Sequence, residues 1–535
     1  MRFRRTVAVL ALVLGGLTGC SRGNVPSHPD VLRIADISEP DKFNPLLSSM
    51  DLTEHLSALV FSTLVIADDR GRLIGDLATE VPTLSNGGIS RDGKTIVYHL
   101  RHGVTWQDGA PFTSRDVAFT WRLVMNPRNN VFHREGYDEV ASIDTPDPFT
   151  VAVHLKRRFP PFVTLFFTDL QEGAKVVLPE HLLRGEKTIN ESPFNAAPVG
   201  TGPFKFVRWD RGRGIELVAY DKYFRGRPKI ARIDFKVIPD DNTMLAEVRA
   251  GDVDVPAVGS NTFPLYKSIP GISTSLAPWN AEAILALNDS QPGLREVEVR
   301  QAIAESIDYR AVIEKIAHGV PTIAHDIVPP NAIGYVDNPA YPYDPQAARR
   351  LLESHGWKPG PDGVRTNGRE RLEFVLYTVT GSSAGNAFAV QLQSWLRAVG
   401  VKLDIKFSPY DEIFSYDGPV QTGKYDMAIY SYTLPWDPDN LEYLGCDKFP
   451  PRGENVTRFC DEQIDAGERR GLETDDPRKR AAIYAPVERR IHELVPDIPL
   501  YLGRRSVVRV ESLRNYRPAP TISEWWNAWQ WSFSP

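Results

Sequence analysis

Apolar and polar residues alternate with a period of two in several segments, and each reads as a half-buried strand. Residues 31–35 carry the first; residues 95–101 set Ile96, Tyr98 and Leu100 on one face, and residues 215–220 repeat the pattern. Further strand signals lie at residues 233–238, 283–287 and 425–430. Helical spacing falls between them. Asp344-Pro345 supplies an N-cap and a first-turn proline, Ala347, Ala348, Leu351 and Leu352 form an apolar stripe, and Gly356 ends it. Residues 387–399 predict a helix that stops at Gly400 and runs into an alternating strand, Val401, Leu403, Ile405 and Phe407. Residues 297–306 and 309–318 predict two consecutive helices, the second capped by Asp308 and terminated by Gly319. This succession is the rhythm of an α/β protein.

One apolar stretch obeys neither period. Arg2, Arg4 and Arg5 precede an unbroken apolar run, and Leu17-Thr18-Gly19-Cys20 closes it with small residues around a cysteine. The run falls short of the ~18 residues that a membrane-spanning helix needs, so it predicts a lipoprotein signal over residues 1–19. Lipidation is then expected at Cys20, with residues 20–30 as a polar tether. The chain would be anchored to the extracytoplasmic face of a bacterial membrane, in a periplasm or at a cell surface. Ser21 leaves the choice of membrane open.

Loss of the three signal arginines changes the formal charge from -6 to -9. No basic block remains, which excludes nucleic acid as an expected partner. With Cys20 consumed by lipid, Cys446 and Cys460 remain, and outside the cytoplasm such a pair favours a bridge over a metal site. The 11 histidines form no ligand cluster, so neither metal nor cofactor is expected.

Gly88-Ile89-Ser90-Arg91-Asp92-Gly93-Lys94-Thr95 matches the phosphate-binding loop pattern, yet a strand signal rather than a helix follows it. It reads as a turn at Asp92-Gly93. No His-Glu-x-x-His or Ser-x-x-Lys motif occurs, and no enzymatic activity is expected.

Several blocks together resemble family 5 of the extracellular solute-binding proteins of ABC importers, the dipeptide- and oligopeptide-binding type. Asp92-Gly93-Lys94-Thr95 leads through Tyr98-His99-Leu100-Arg101 to Trp106-Gln107-Asp108-Gly109. Gly200-Thr201-Gly202-Pro203-Phe204, Val299-Arg300-Gln301-Ala302 and Tyr343-Asp344-Pro345 follow in the family's order. The resemblance implies an α/β fold, a two-lobed periplasmic-binding-protein-like clamp with three domains. Domain I would be discontinuous, made of residues 31–76, 198–290 and 499–535, with domain II at residues 77–197 and domain III at residues 291–498. A peptide, expected to be an oligopeptide, would be captured in the interlobe crevice by a monomer and passed to a membrane permease and its ATPase. The same fold could instead serve an oligosaccharide, a metal chelate or another small solute. Most family blocks are expected to be structural: Arg300 in an ion pair, Trp106 and Phe112 in a core, and Trp525, Trp526, Trp529 and Trp531 at a packed edge.

The resemblance also implies a disulfide between Cys446 and Cys460 and a set of crevice residues: Ser48, Ser49, Met50, Trp279, Asn280, Tyr430, Tyr432 and Trp436. Dipeptide-binding members grip the ligand's ammonium with an aspartate three positions before an Asp-Pro-Asp segment. That segment is Asp437-Pro438-Asp439 here, and the gripping position is Leu434. Asp437 is the candidate to reach in from beside it, with an Asx turn ahead of Pro438 as the other reading. The loop expected to supply the arginine for a dipeptide's carboxylate, residues 378–388, contains no Lys or Arg. A longer or capped peptide, or a non-peptide solute, fits that loss of charge better than a dipeptide does.

Overall fold

The computed structural model describes residues 30–48, 50–170, 175–330, 332–380, 383–415, 417–521 and 523–534. Cys20, the signal and most of the tether lie outside them, as does Ser49. Two large sheets organise the molecule. In the first, Val31–Asp36 lies between Val255–Pro256 and Arg232–Val237, parallel to both, and Gly214–Ala219 and Phe204–Asp210 continue the sheet antiparallel. A strand from the start of the chain thus pairs with strands some two hundred residues later. The buried side is the alternation read from sequence: Leu32 and Ile34, Ile215 and Leu217, Ile233 and Phe235.

The second sheet has the order Thr322–Ile323, Asp497–Val510, Ile272–Leu287, Met427–Thr433, Glu373–Val379, Lys402–Ser408. Its two long strands, Ile272–Leu287 and Asp497–Val510, run antiparallel beside each other. They form a double strap between the core around the first sheet and the core around the second. The register shifts between Pro278 and Glu282, so the strap is irregular near its middle. One face of this sheet is covered by Val297–Glu305, Pro345–Ser354 and Ser383–Ala398, which bury Val299, Ile303, Leu352, Leu392 and Leu396 against Leu285 and Leu287. Asp344 caps its helix by accepting from the backbone N–H groups of Gln346 and Ala347.

A three-stranded antiparallel sheet, Thr95–His99, Thr150–Leu155 and Val140–Asp147, forms a separate element. Gln107 ties this region to the first sheet: its amide donates to the carbonyls of Val60, Gly202 and Phe204 and accepts from Gly200 N–H. Glycine is required at 200, since a Cβ there would sit 1.8 Å from the Val60 carbonyl oxygen. The family's Gly-Thr-Gly-Pro-Phe block is therefore a backbone-on-backbone seam.

Asp92-Gly93 is a turn, with Asp92 accepting from Ser90 Oγ and Lys94 N–H and Gly93 at φ +68°. Arg300 pairs with Asp289, Trp106 meets Phe112 at 5.9 Å in a core, and Trp525 and Trp531 are buried. Cys446 and Cys460 form a disulfide with Cα atoms 4.8 Å apart. Two elements differ from the sequence pattern. Residues 309–318 are not one α-helix; Tyr309–Ala311 passes into a π-helical turn, Val312–Ile316, where β-branched Val312, Ile313 and Ile316 disfavour tight α-winding. The strand expected at residues 283–287 is the end of a much longer one, because Trp279, Asn280 and Glu282 break its apolar pattern.

Candidate functional site

Two cavities flank the strand Met427–Thr433, and Ser431 lines both. The first holds about 380 Å³ beside the first sheet. The second holds about 320 Å³ between the sheet strands and a wall made by His133, Glu135 and Lys175. Both volumes fall within the range of small-ligand sites. On its inner side the strand pairs with Ile272–Leu287, from Thr433 opposite Ala281 to Met427 opposite Leu287. On its outer side only Met427 and Ala428 pair, with Leu376 and Tyr377. Among the described residues no strand pairs with the outer edge from Ile429 to Thr433. An open edge of this kind is a template for an extended chain.

Register decides what faces the second cavity. Glu282 lies opposite Tyr432, Ile284 opposite Tyr430, and Ala286 opposite both Ala428 and Asp497. Because side chains alternate, these residues share one face. Aromatic rings cover it: Phe414 meets Tyr430 at 5.2 Å, Tyr430 meets Tyr432 at 6.2 Å and Tyr432 meets Tyr443 at 5.9 Å. Such rings offer large area with polar tips.

The charges of the second cavity are unusual. Lys175 is 5% exposed, its ammonium donates to the Glu135 carbonyl at 3.3 Å, and it lies 5.1 Å from the centre of the Tyr137 ring. Burial pushes it down to about 8. Asp497 is pushed up to about 7 by burial, with Asp326 adding to the effect. Glu282, which lines the first cavity and is fully buried, is pushed well above the carboxylate range by burial and then by Asp497.

In the first cavity the Trp279 ring lies 4.9 Å from the Arg505 guanidinium, which pairs with Glu524 at 2.8 Å. Gly503 makes room for that ring, since a Cβ there would stand 3.2 Å from Trp279 Cε3. Burial lowers the neighbouring His55.

Of the crevice residues expected from sequence, the structure brings Trp279, Tyr430 and Tyr432 to these cavities. Ser48, Met50, Asn280, Trp436 and Asp437 line neither cavity. Ser48 is buried, donates to Asp41 and accepts from Met50 N–H, so Ser48 and Met50 shape the entry to the helix Asp51–Val60. Asn280 is buried, and its carbonyl accepts from Leu434 N–H at 2.7 Å. Trp436 packs against Ala67 and Leu170 and donates its indole N–H to the Leu170 carbonyl at 2.8 Å. Asp437 is consumed as well. Both its oxygens bind Arg480, and one accepts from Asp439 N–H, which is the Asx turn. Leu434 is buried and brings no charge.

Sequence reasoning missed Phe414, Tyr443, Lys175, Glu282 and Asp497. Tyr410 and Phe414 stand four apart on one helix, 4.7 Å between rings, and that spacing was a readable signal. Asp497 carried none. Among the described residues no three His, Cys, Asp or Glu side chains converge as metal ligands, and no helix is long and apolar enough to cross a membrane.

The chain is similar to known proteins along nearly its whole length. It is 25% identical to the oligopeptide-binding protein AppA of Bacillus subtilis, with 97% of each chain covered. The structure matches that of NikZ from Campylobacter jejuni, in complex with Ni(L-His), with a TM-score of 0.78, 26% identity and coverage of 94% of this chain and 100% of that one. It matches the ABC transporter substrate-binding protein CtaP of Listeria monocytogenes with a TM-score of 0.82, 22% identity and coverage of 94% and 99%. The model of the bacterial extracellular solute-binding proteins, family 5 (middle), matches residues 72–448, and the chain belongs to that family.

Proposed function

We propose that the protein captures oligopeptides in the crevice between its lobes and delivers them to the permease and ATPase of an ABC importer, without catalysis of its own. The open outer edge from Ile429 to Thr433, running between two cavities, carries this reading. An extended peptide could add to that edge through its backbone, with side chains alternating into the cavities. The aromatic wall supplies area without reading sequence. The name of AppA, an oligopeptide-binding relative over the full length, supports the same ligand class.

The first sheet supports the three-domain division, while the second sheet runs across it, joining Ile272–Leu287 and Asp497–Val510 to strands of residues 291–498. Residues 31–76, 198–290 and 499–535 supply the first sheet and its surroundings, residues 77–197 the second domain and residues 291–498 the third. The irregular stretch of the strap near Pro278 suggests a hinge inside the two long strands rather than at their ends. Trp436, reaching Leu170, and Arg158, 3.1 Å from Asp475, bridge the two lobes and support a clamp drawn together.

A second reading is favoured by NikZ, whose structure holds Ni(L-His). The same crevice would then take a metal chelate. Native mass spectrometry of protein purified without refolding separates the two. A trapped mass series of peptides is expected, and a nickel–amino-acid isotope pattern would replace the peptide reading. Anchoring through Cys20 is tested by Cys20→Ala, which should move the protein out of the membrane fraction; full retention with a cleaved N-terminus would refute it.

A further inference from the structure

The crevice lacks the family's amine grip at Leu434, yet it holds a buried carboxyl group with one oxygen unpartnered among the described residues. Asp497 is 7% exposed and lines the second cavity. Its Oδ1 is buried without a hydrogen-bond partner, and no ion pair reaches it among the described residues. Beside it, Glu282 is fully buried, with Oε1 unpartnered and Oε2 facing the Tyr432 hydroxyl at 3.5 Å, too long for a strong bond. A buried carboxyl normally finds a donor, since leaving one unpaired costs several kcal/mol. Where such a group lines a cavity, a ligand can supply the missing partner.

The cavity's own cation does not fill this role. Lys175 is held on the opposite wall by the Glu135 carbonyl and the Tyr137 ring, and no ion pair joins it to Asp497 or Glu282 among the described residues. Asp326, the other acid near Asp497, is occupied with Ile327 N–H and the Asn338 amide. We infer that Asp497, supported by Glu282, is the binding site for a cationic group of the ligand, an ammonium or guanidinium. The site lies on the sheet face of the second cavity and replaces the grip absent at Leu434.

This inference rests on the proposed capture of peptides, for which the cation is either the N-terminal ammonium or a basic side chain. The cation also explains how the site tolerates its own charge. Asp497 is pushed up to about 7, so near neutral pH part of it carries a proton that an arriving cation would displace. Binding should therefore expel a proton near neutral pH. The groups that feel the charge of Asp497 are Glu282 and Asp326, both raised, and the hydroxyls of Tyr341, Tyr425, Tyr430 and Tyr432, all raised too far to titrate near neutral pH.

The test is calorimetry on ligand-stripped protein with four probes: Ala-Ala-Ala, its N-acetylated form, N-acetylated Ala-Lys-Ala, and cadaverine. Wild type, Asp497→Asn and Glu282→Gln are compared, with melting curves to confirm folding. Wild type should prefer a cationic probe over acetylated Ala-Ala-Ala by about tenfold or more, and Asp497→Asn should abolish that preference. A preference for free Ala-Ala-Ala assigns the N-terminal ammonium; one for acetylated Ala-Lys-Ala assigns a side chain. If peptides bind and Asp497→Asn leaves the preference intact, the inference is overturned while peptide capture stands. If only cadaverine binds, and Asp497→Asn abolishes it, the cation site stands and peptide capture falls. If no probe binds, both fall.

Discussion

The loop around Asp437 and the sheet face around Asp497 present the same chemistry, a buried aspartate near a crevice, with opposite outcomes. Asp437 is saturated: both oxygens bind Arg480, whose side chain is 3% exposed, and one also accepts from Asp439 N–H. Asp497, equally buried, leaves Oδ1 without a partner among the described residues. Sequence proximity to the Asp-Pro-Asp segment pointed to the first, and hydrogen-bond accounting points to the second. A polar group whose partners are all internal holds the fold together. One whose partner is missing marks the place for a molecule from outside.

The largest effect that can break this contrast is Asp437→Asn. It leaves Arg480 buried without its counter-charge, and removal of one member of such a pair costs about 3–5 kcal/mol. Denaturant unfolding should show that loss while the charge preference among bound peptides stays as in wild type. A variant of unchanged stability with altered charge preference would mean that Asp437 serves the ligand and the contrast is wrong.

Next in size is the disulfide. Cys446 and Cys460 are separated by 14 positions and enclose Glu454, Val456 and Thr457, which line the second cavity. Loop closure of this length contributes about 3 kcal/mol. Replacing both cysteines by serine should lower stability by that order and weaken binding, because the cavity wall loosens with the loop. Two free thiols in the native protein would refute the bridge outright.

Acid titration sharpens the contrast further. Asp497 is raised from its ordinary value of 3.8 to about 7, so the folded state holds a proton that the unfolded state releases. Stability from this group is fully present below pH ~4 and is lost as pH rises toward ~7, at about 1.4 kcal/mol per pH unit. Asp497→Asn should flatten that decline in ligand-free protein and melt higher than wild type at pH 7.5. A pH dependence untouched by the substitution would assign the decline to other buried acids, such as Asp169, Asp326, Asp439 or Glu282.

The fold was legible in the chain because most of its strands and helices are half-buried and announce their period. Val31–Asp36, Gly214–Ala219 and Pro345–Ser354 sit within a residue or two of where alternation and capping put them. The strap was not legible beyond its apolar end, since Trp279, Asn280 and Glu282 interrupt the apolar run there although Asn280 and Glu282 are buried. The site was legible only where aromatics crowd a strand, as at Tyr430 and Tyr432. Asp497 was hidden for a physical reason. It follows the helix Pro477–Leu494 and begins a strand, where an aspartate reads as an ordinary turn residue, and only the register across Ala286 brings it to the cavity.

The smallest expected effect separates the two components of the sheet face itself. Tyr432 offers Glu282 a hydroxyl at 3.5 Å and offers the ligand a ring, 6.2 Å from Tyr430 and 5.9 Å from Tyr443. Tyr432→Phe keeps the ring and removes a contact already too long to contribute much. Stability should change by no more than about 0.5 kcal/mol, and peptide affinity by about twofold or less. Tyr432→Ala removes the ring and should cost uncharged and cationic peptides alike, since stacking does not read charge. If Tyr432→Phe instead abolished the preference for cationic probes, the hydroxyl would be orienting Glu282 toward the ligand. The cation would then be held by Glu282 and Tyr432 together, with Asp497 as the neighbour that tunes them.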